Sequence, residues 1–288
     1  MASQPIRVVD AHVHIWDPAR TDWYPYLARP PERGGGDPSR MYRRFDIDTY
    51  QTEAARWRVE KFVNVAAATG RHSIEETLDL DRNAHANGGP DAIIGGLPPT
   101  DTVVEAIDLL DQQMTASRFR GVRPMGALDR PVPDAGVLQA LQERDLLFEL
   151  MTHPDQLRAA AAQLTGFDDL SVVVEHTGWP RTNSDQERAI WRTGIDALAD
   201  VGDNVVCKLS GLAMPFGSMR ADVFAPWLEY AIEAFGVDRC MFASNFPVDA
   251  MYGTFDELYA AFSAVTAALD GESRGKLFAT NAERVYRC

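Results

Sequence analysis

The first apolar strand of the chain reads Arg7-Val8-Val9-Asp10-Ala11-His12-Val13-His14-Ile15. Residues i and i+2 of a strand lie on the same face about 6.6 Å apart, so the side chains of His12 and His14 can converge on one ion or one substrate atom. Strict alternation predicts two rows, an inward one of Val8, Asp10, His12 and His14 and an outward one of Val9, Ala11, Val13 and Ile15. An apolar outer face and a polar inner end are typical of a barrel strand that is covered by helices.

Short β-branched runs and amphipathic stretches alternate from this strand to the end of the chain. Seven further strands are predicted at residues 59–68, 92–97, 119–125, 146–152, 170–176, 204–210 and 239–245. Helices are predicted at residues 74–86, 103–115, 135–144, 154–164, 186–198, 221–235 and 255–268. From the second onward the strands are roughly thirty residues apart, the length of a βα unit. Eight strands in 288 residues predict an α/β fold with one (β/α)8 TIM barrel over residues 1–288.

The connection after the first strand is much longer than the others. Residues 17–45 are rich in proline and glycine, and aromatic residues occur in and beside them. In a barrel this connection emerges at the C-terminal face, where active sites are built, and long loops there are usually lids or binding loops. Residues 17–45 are therefore a candidate lid, with Trp16 and Tyr24 as candidate substrate contacts. Aromatic packing on the barrel rim is the alternative.

Two more histidines lie at predicted strand ends. His153 follows the fifth strand and His176 ends the sixth, so four of the six histidines fall at strand ends. Neutral imidazole is a common ligand of zinc and similar divalent ions, and a catalytic site of this kind leaves one position for water. His153 also suits a helix start before Pro154. His72 flanks the helical stretch predicted at residues 74–86 and His85 lies in it, and both are predicted to lie on the surface.

Further polar residues reach the same end of the predicted barrel. Arg123 shares a parity with Phe119 and Gly121 and can point into the mouth, where its planar fork would bind a carboxylate or carbonyl. Lys208 is a second candidate substrate contact, although a solvated or structurally paired lysine also fits the pattern. In the eighth strand one parity places Asn245 at the mouth, and Asp249 follows four residues later.

Composition narrows the class of partner. The net charge is −14 and no basic stretch stands out, which argues against a nucleic-acid surface. No basic leader or apolar run near ~20 residues predicts export or a membrane span. The three cysteines lack the spacing of a metal knuckle or a disulfide framework. We therefore expect a cytoplasmic protein with a small-molecule substrate and neither nucleic acid nor membrane as partner; the oligomeric state stays open.

Three segments together resemble the amidohydrolase superfamily: residues 9–17, the strand-six Glu175-His176-Thr177-Gly178, and residues 242–249. Residues 278–286 resemble the terminal helix of its amidohydrolase-2, fuconolactonase-like branch. The resemblance runs in order over nearly the whole chain. It implies a distorted TIM barrel whose members hydrolyse C–O or C–N bonds, in this branch often those of sugar-acid or dicarboxylate lactones. Related branches decarboxylate aromatic acids.

The resemblance also implies a metal site. Many superfamily members hold one or two divalent ions through a first-strand His-x-His, histidines after strands five and six, and an aspartate after strand eight. The histidine positions fall on His12, His14, His153 and His176, and Asn245 stands where the aspartate is usual. Some lactonases of the branch act without metal. Because an amide is a weaker ligand than a carboxylate and cannot act as a general base, Asp249 becomes the nearest alternative carboxylate.

These residues predict hydrolysis of a small lactone by a directed water. One divalent ion, zinc foremost, would lower the pKa of that water and polarise the carbonyl. Without metal, the same imidazoles would donate hydrogen bonds to the oxyanion while Arg123 binds an acidic substituent. His153 is either a fourth ligand or the group that relays a proton to the alkoxide. The alternatives are a metal-dependent decarboxylase of an aromatic acid, an amide-bond hydrolase and a non-catalytic barrel that binds a metabolite.

Overall fold

The barrel is a single parallel sheet whose strands follow one another in sequence order. The structure is a computed structural model and describes residues 6–28, 36–126 and 129–288. The strands are β1 (Arg7–Val13), β2 (Arg58–Val65), β3 (Ala92–Leu97), β4 (Phe119–Pro124), β5 (Leu147–Leu150), β6 (Val172–Val174), β7 (Val205–Leu209) and β8 (Cys240–Phe242). The predicted (β/α)8 TIM barrel is confirmed.

Helices cover the outside of the sheet. They are α1 (Ile47–Ala54), α2 (His72–Asn87), α3 (Val103–Gln113), α4 (Ala135–Glu143), α5 (Pro154–Leu164), α6 (Asp185–Ala199), α7 (Ala213–Phe216), α8 (Ala221–Phe235), α9 (Phe255–Val265), α10 (Gly271–Gly275) and α11 (Asn281–Tyr286). The predicted bounds of α5 and α8 agree with the structure at both ends. Helix α1 was not predicted, because it lies inside the long connection after β1. None of the helices in the described part of the chain has the length and apolar character of a membrane span.

The barrel closes between β1 and the segment that follows β8. The backbone N–H of His14 donates to the carbonyl of Phe246 at 2.8 Å, and the N–H of Asn245 donates to the carbonyl of His12 at 2.8 Å. Asp10 supports this seam, because its carboxylate accepts from the backbone N–H of Ser244 at 2.8 Å. The closure therefore places Asn245 beside the two histidines of the first strand.

Side chains from seven strands fill the middle of the barrel. We call this set the apolar interior; its members are Val9, Ala11, Val63, Val65, Ala92, Ile94, Leu147, Val173, Val206, Met241 and Ala243, with Ala279, Ala282 and Tyr286 from the C-terminal helical segments. All are buried. Close packing of such side chains across alternate strands is what makes a TIM barrel a filled core rather than a pore.

The predicted parity of β1 is wrong in its first half. Val9 and Ala11 belong to the apolar interior, whereas Asp10 faces the helical layer and accepts a hydrogen bond from the hydroxyl of Tyr50 in α1 at 2.9 Å. The pairing of β1 with β2 shifts register between Val8 and Val9 and again between Asp10 and Val13. Because an irregularity in a strand interrupts the alternation of faces, both histidines can point inward although Asp10 points outward.

All the strands except β3 end one to three residues earlier than predicted, and at β6 and β8 a backbone reason is visible. After β6 the backbone of His176 and Thr177 is left-handed, with φ of 52° and 56°, and after β8 Asn245 has φ of 56°. A left-handed residue cannot continue a β-ladder, so β6 and β8 cannot extend to the predicted ends at residues 176 and 245; they end at Val174 and Phe242.

The long connection after β1 packs onto the barrel through its aromatic residues. Trp16 forms an isolated antiparallel bridge with Phe45, and both side chains are buried. Tyr24 is buried as well, whereas Tyr26 is 37% exposed. Residues 29–35 of the candidate lid lie outside the described residues. In the described part, this connection is held by packed aromatic side chains.

Candidate active site

Three histidine side chains meet at the C-terminal mouth of the barrel. His12 and His14 come from the end of β1, and His176 follows β6. The Nε2 atoms of His12 and His14 are 3.1 Å apart, and the ring centroids of His12 and His176 are 4.7 Å apart. All three side chains are buried. The structure therefore brings three of the four predicted histidines together.

Burial keeps these imidazoles neutral, because a charged ring loses its hydration there. It lowers the pKa of His14 to about 3 and that of His176 to about 4. The pKa of His12 also lies well below its ordinary value, because burial is reinforced by the charge of Lys208. A neutral imidazole offers one lone pair and one N–H group, so it can ligate a metal or take part in hydrogen bonding on both sides.

Glu175 lies between the histidines and a buried arginine. Its Oε1 is 3.7 Å from His12 Nδ1, and its Oε2 is 3.8 Å from His176 Nε2. Arg123 Nη1 lies 3.3 Å from the same Oε2. Burial alone would raise the pKa of this carboxyl, but the charge of Arg123 foremost, then a hydrogen bond with the Glu149 side chain, outweigh it and hold the pKa below the usual range. Glu175 is therefore ionised.

Arg123 points into the barrel, as its predicted parity requires. Besides pairing with Glu175, it donates from Nη2 to the carbonyl of Ala66, and only 8% of its side chain is exposed. Its Nε has no hydrogen-bond partner among the described residues. The predicted contact of Arg123 with substrate stays a prediction, since this side chain is already engaged on its other nitrogens.

A buried ion pair adjoins the histidine cluster. Lys208 Nζ lies 2.8 and 2.7 Å from the two carboxylate oxygens of Glu149, and 3.4 Å from His12 Nδ1. The hydroxyl of Tyr286 donates to Glu149 Oε1 at 2.6 Å. Burial raises the pKa of Glu149, against the opposing charge of Lys208.

The structure settles how Lys208 is accommodated. Its side chain and that of Glu149 are both 0% exposed, so the solvated interpretation of Lys208 is wrong and the structurally paired one is confirmed. The physical reason is that an ammonium group removed from water requires a charged partner. A direct contact of Lys208 with substrate stays a prediction.

His153 stands apart from the other three histidines. It is the N-cap residue of α5, which confirms the helix-start interpretation, and its Nδ1 lies 3.1 Å from the carbonyl oxygen of Trp179. The two rings stack at 4.5 Å, and the ring of Trp179 is 6.0 Å from that of His176. Trp179 thus links His153 to the cluster. The role of His153 as fourth ligand or proton relay stays a prediction.

Asn245 and Asp249 form a buried pair at the closing seam. Asn245 Nδ2 donates to Asp249 Oδ1 at 2.9 Å, and the second carboxylate oxygen has no partner among the residues described. Burial raises the pKa of Asp249 to about 7, against the hydrogen bond from Asn245. A carboxyl that changes protonation state near neutral pH has the property required of a general acid or base.

A left-handed backbone and a neighbouring glycine determine where the ring of His176 lies. Its left-handed backbone, shared with Thr177 and Asn245, is uncommon outside glycine and tends to occur at functional sites. Ser210 Oγ lies 3.0 Å from His176 Nδ1. Gly211 follows with φ of +69°, and a Cβ at that position would lie 2.6 Å from His176 Cγ. Glycine is therefore needed there to leave room for the imidazole.

The aromatic residues of the long connection divide into two groups. Trp16 stacks on His14, with ring centroids 5.6 Å apart and planes 8° from parallel. Tyr24 instead donates its hydroxyl to the buried carboxylate of Glu76 at 2.8 Å. The structure brings Trp16 to the histidines and holds Tyr24 in a separate network. Their contacts with substrate stay predictions.

The residues at the mouth fit a divalent metal ion. His12, Glu175 and His176 offer ligand atoms that all lie within 4.8 Å of one another, and His14 Nε2 is next to His12 Nε2. Neutral imidazoles and a carboxylate are the ligands that catalytic zinc sites use. Glu175 Oε1 has no hydrogen-bond partner within the described chain, although it is buried and ionised. An unpaired buried carboxylate oxygen of this kind suits a cation.

Sequence reasoning missed Glu149, Glu175 and Tyr286 as members of this network. Glu149 had a usable signal, because a charged residue inside the apolar run Leu147-Phe148-Glu149-Leu150 must find a partner. Glu175 directly precedes His176. Tyr286 carried no such signal, since it lies 137 residues from Glu149 along the chain.

A TIM barrel with a histidine cluster at its C-terminal mouth places the molecule in the class of barrel enzymes that includes the amidohydrolases. Residues 9–288 match the amidohydrolase family model. The chain therefore belongs to the amidohydrolase family, which confirms the resemblance seen in the sequence and supports a hydrolase.

Full-length relatives agree with this assignment. The chain is 30% identical to an uncharacterized protein, y4mH, of Sinorhizobium fredii, covering 98% of this chain and 99% of that protein. It is 28% identical to an L-fucono-1,5-lactonase of Burkholderia ambifaria, covering 97% and 95%. A crystal structure of an amidohydrolase from Burkholderia multivorans with bound zinc superposes with a TM-score of 0.79 at 24% identity, covering 97% of this chain and 99% of that one. This last likeness shows a common fold.

Proposed function

We propose that the protein opens a small lactone by directing water at the ring carbonyl. The observation that carries this proposal is the convergence of three neutral imidazoles at one barrel mouth. Asp249, whose carboxyl has a pKa close to 7, pairs with Asn245 at the closing seam. The relative named L-fucono-1,5-lactonase aligns over 97% of the chain and supports a lactone as the substrate class. We propose a sugar-acid lactone or a related cyclic ester.

Asp249 is the proposed general base. When ionised it takes a proton from the attacking water, while the oxygen of that water forms a bond to the carbonyl carbon. The imidazole of His176 donates an N–H group to the developing oxyanion. When the tetrahedral intermediate collapses, the ring C–O bond breaks and the alkoxide takes up a proton from Asp249 or through His153. The product is an open-chain hydroxy acid.

The same residues are suited to a metal-assisted version of the reaction. His12, Glu175 and His176 would hold a divalent ion such as zinc, with His14 adjacent. When bound, such an ion polarises the carbonyl and lowers the pKa of water. Asn245 leaves this site without the usual aspartate, so the proposed base is Asp249 in either version.

We propose that the substrate is small and that neither nucleic acid nor a membrane is a partner. Trp16 offers an aromatic wall next to His14, and Arg123 has one unpaired N–H with which to meet an acidic or carbonyl group. The net charge of −14 disfavours polyanions. We also propose a cytoplasmic location, because Cys207, Cys240 and Cys288 are free thiols, as expected in a reducing compartment.

The test is a hydrolysis screen with the purified full chain. A panel of sugar 1,5-lactones and other small lactones is assayed by proton release, after metal removal and again with added Zn²⁺, beside matched amides and hydroxybenzoates. Turnover of at least one lactone is expected, and His176→Ala should abolish it. Release of CO₂ from a hydroxybenzoate would instead identify a decarboxylase, and stoichiometric binding without turnover would identify a binding protein.

A further inference from the structure

Three hydrogen bonds at the mouth of the barrel determine which nitrogen of each first-strand histidine carries its proton. His14 Nδ1 lies 2.8 Å from the carbonyl oxygen of Val65. A carbonyl only accepts, so His14 Nδ1 carries a proton. Lys208 Nζ lies 3.4 Å from His12 Nδ1, and an ammonium only donates. His12 Nδ1 is therefore an acceptor without a proton.

These two assignments agree at the contact between the rings. If His12 Nδ1 is bare, its proton is on Nε2, which lies 3.1 Å from His14 Nε2. His14 Nε2 carries the lone pair that accepts this proton, because the proton of His14 is on Nδ1. Any other arrangement of neutral rings leaves two donors or two acceptors facing each other. The bonds thus run from Lys208 to His12, from His12 to His14, and from His14 to Val65.

Hydrogen bonds that run in this direction make it unfavourable for His12 to bind a metal ion. A ligating nitrogen must be free of its proton. On His12, Nε2 carries the proton, and the bare Nδ1 faces the ammonium of Lys208. For Nε2 to bind an ion, the proton has to move to Nδ1, where Lys208 is an unfavourable neighbour. Glu175 Oε1, 3.7 Å from Nδ1, is the available acceptor for that proton. Glu175 Oε2, 3.8 Å from His176 Nε2, is then the carboxylate oxygen that would hold the ion.

We propose that Lys208 is a positioning residue that holds His12 in its Nε2–H form and so weakens the affinity of the site for divalent metal, whereas Glu175 supports the form that binds metal. Glu149 holds the ammonium in place, and Tyr286 in turn donates its hydroxyl to Glu149. The inference rests on the proposed function only in taking the histidine cluster as the active site. The identity of the lactone does not enter it.

The first test reads the proton positions directly in the wild-type protein. The full chain is labelled with ¹⁵N-histidine, freed of metal and examined by long-range ¹H–¹⁵N correlation at pH 7.5, with His12→Gln and His14→Gln samples for assignment. We expect His12 as the Nε2–H tautomer and His14 as the Nδ1–H tautomer. Addition of Zn²⁺ should convert His12 to the Nδ1–H form. His12 found as Nδ1–H without metal, or still Nε2–H with zinc bound, overturns the proposal.

The second test measures Zn²⁺ affinity by competition with a chromogenic chelator. Lys208→Met is combined with Glu149→Gln, so that no unpaired buried charge remains, and Glu149→Gln alone is the matched control. We expect the double variant to bind Zn²⁺ at least about tenfold more tightly than wild type, because a neighbouring positive charge is removed. Glu149→Gln alone keeps the ammonium and should not gain affinity.

Equal gains in the two variants, or no gain in the double variant, would contradict the role of Lys208. If the double variant does not fold, the tautomers of the wild-type protein still decide the question. Neither readout involves lactone turnover. A protein that hydrolyses no lactone can therefore still show the predicted tautomers and zinc affinities, so that failure of this inference and failure of the proposed function are distinguishable.

Discussion

The inside of the barrel has two parts that differ in chemistry although the same strands supply both. The apolar interior is made of aliphatic side chains and methionine, with Tyr286 at its edge. The other part, which we call the polar interior, consists of His12, His14, Arg123, Glu149, Glu175, His176 and Lys208. All are buried. The two parts meet where Tyr286 donates its hydroxyl to Glu149.

The difference shows what each part contributes. Burial of the aliphatic side chains stabilises the fold, whereas burial of polar groups is unfavourable unless each one is paired. Within the described residues, pairing in and beside the polar interior is incomplete at Glu175 Oε1, Arg123 Nε and Asp249 Oδ2. Buried polar atoms without partners are rare in folded proteins and often mark functional positions. We therefore expect substitutions in the two parts to affect different properties.

The largest expected effect is on activity, from the polar interior. His12→Ala and His176→Ala should each lower kcat/KM for the lactone substrate at least about 1,000-fold, because His176→Ala removes the donor to the oxyanion and His12→Ala breaks the hydrogen-bonded histidine cluster. The free energy of unfolding should change little. His72→Ala, which alters a partly exposed histidine at the start of α2, is the control and should keep full activity. Substantial turnover by either variant would show that the cluster is not the site.

The apolar interior should show the opposite pattern. Leu147→Ala removes a buried side chain and should lower the free energy of unfolding by about 2–5 kcal/mol. The kcat/KM per folded molecule should stay within about threefold of wild type, because strand residues below the mouth do not touch substrate. Urea denaturation and steady-state kinetics on the same samples check both statements. A large loss of activity without loss of stability would break the distinction between the two parts.

Asp249 should determine the pH dependence of the reaction. Because the base must be ionised and its pKa is about 7, kcat/KM should rise as the pH increases toward about 7 and then level off. The imidazoles of His14 and His176 titrate far below this range and should not contribute. Asp249→Asn should abolish this rise of kcat/KM with pH and lower the rate on the order of 100-fold. Asp222→Asn, in an exposed pair with Arg220, is the control.

The smallest expected effect comes from replacing Asn245, whose amide lies at the seam where the barrel closes. Asn245→Asp would put a second carboxyl where Nδ2 now donates to Asp249 at 2.9 Å, which raises the pKa of the pair further. A raised carboxyl pKa means that the folded state binds the proton more tightly, so stability is kept at low pH and lost as the pH rises through the raised pKa. We expect a loss of about 1–2 kcal/mol at pH 8 and less at pH 5.

Two further measurements sharpen this prediction. The exchange Asn245→Asp with Asp249→Asn restores one donor and one acceptor and should recover stability at pH 8. Asn245→Asp alone should also raise Zn²⁺ affinity, since it adds a negative charge near the histidines. Equal stability losses at the two pH values would show that the carboxyls do not interact. Unchanged zinc affinity would show that position 245 does not face the metal site.

Much of the fold could be predicted because its signals are local. The spacing of β-branched runs and amphipathic stretches predicted eight strands, and the bounds of α5 were predicted correctly because Pro154 marks its start. The errors in the predicted strands come from backbone irregularities at particular residues. An irregular register in β1 reversed the parity of Val9 and Asp10, and the left-handed backbone at His176 shortened β6. Neither feature has a periodic signature in the sequence.

The amino-acid sequence by itself determined that this chain forms a (β/α)8 barrel and that histidines lie at its strand ends, because hydrophobic periodicity and parallel topology are sufficient to bring strand ends to one mouth. Only the tertiary structure decided which polar atoms pair there. Lys208 binds Glu149 and His12 across the barrel, and Asn245 reaches His12 through the closing seam. Such pairings depend on distances between atoms far apart in the chain, and hydrogen bonds form only when those distances are near 3 Å.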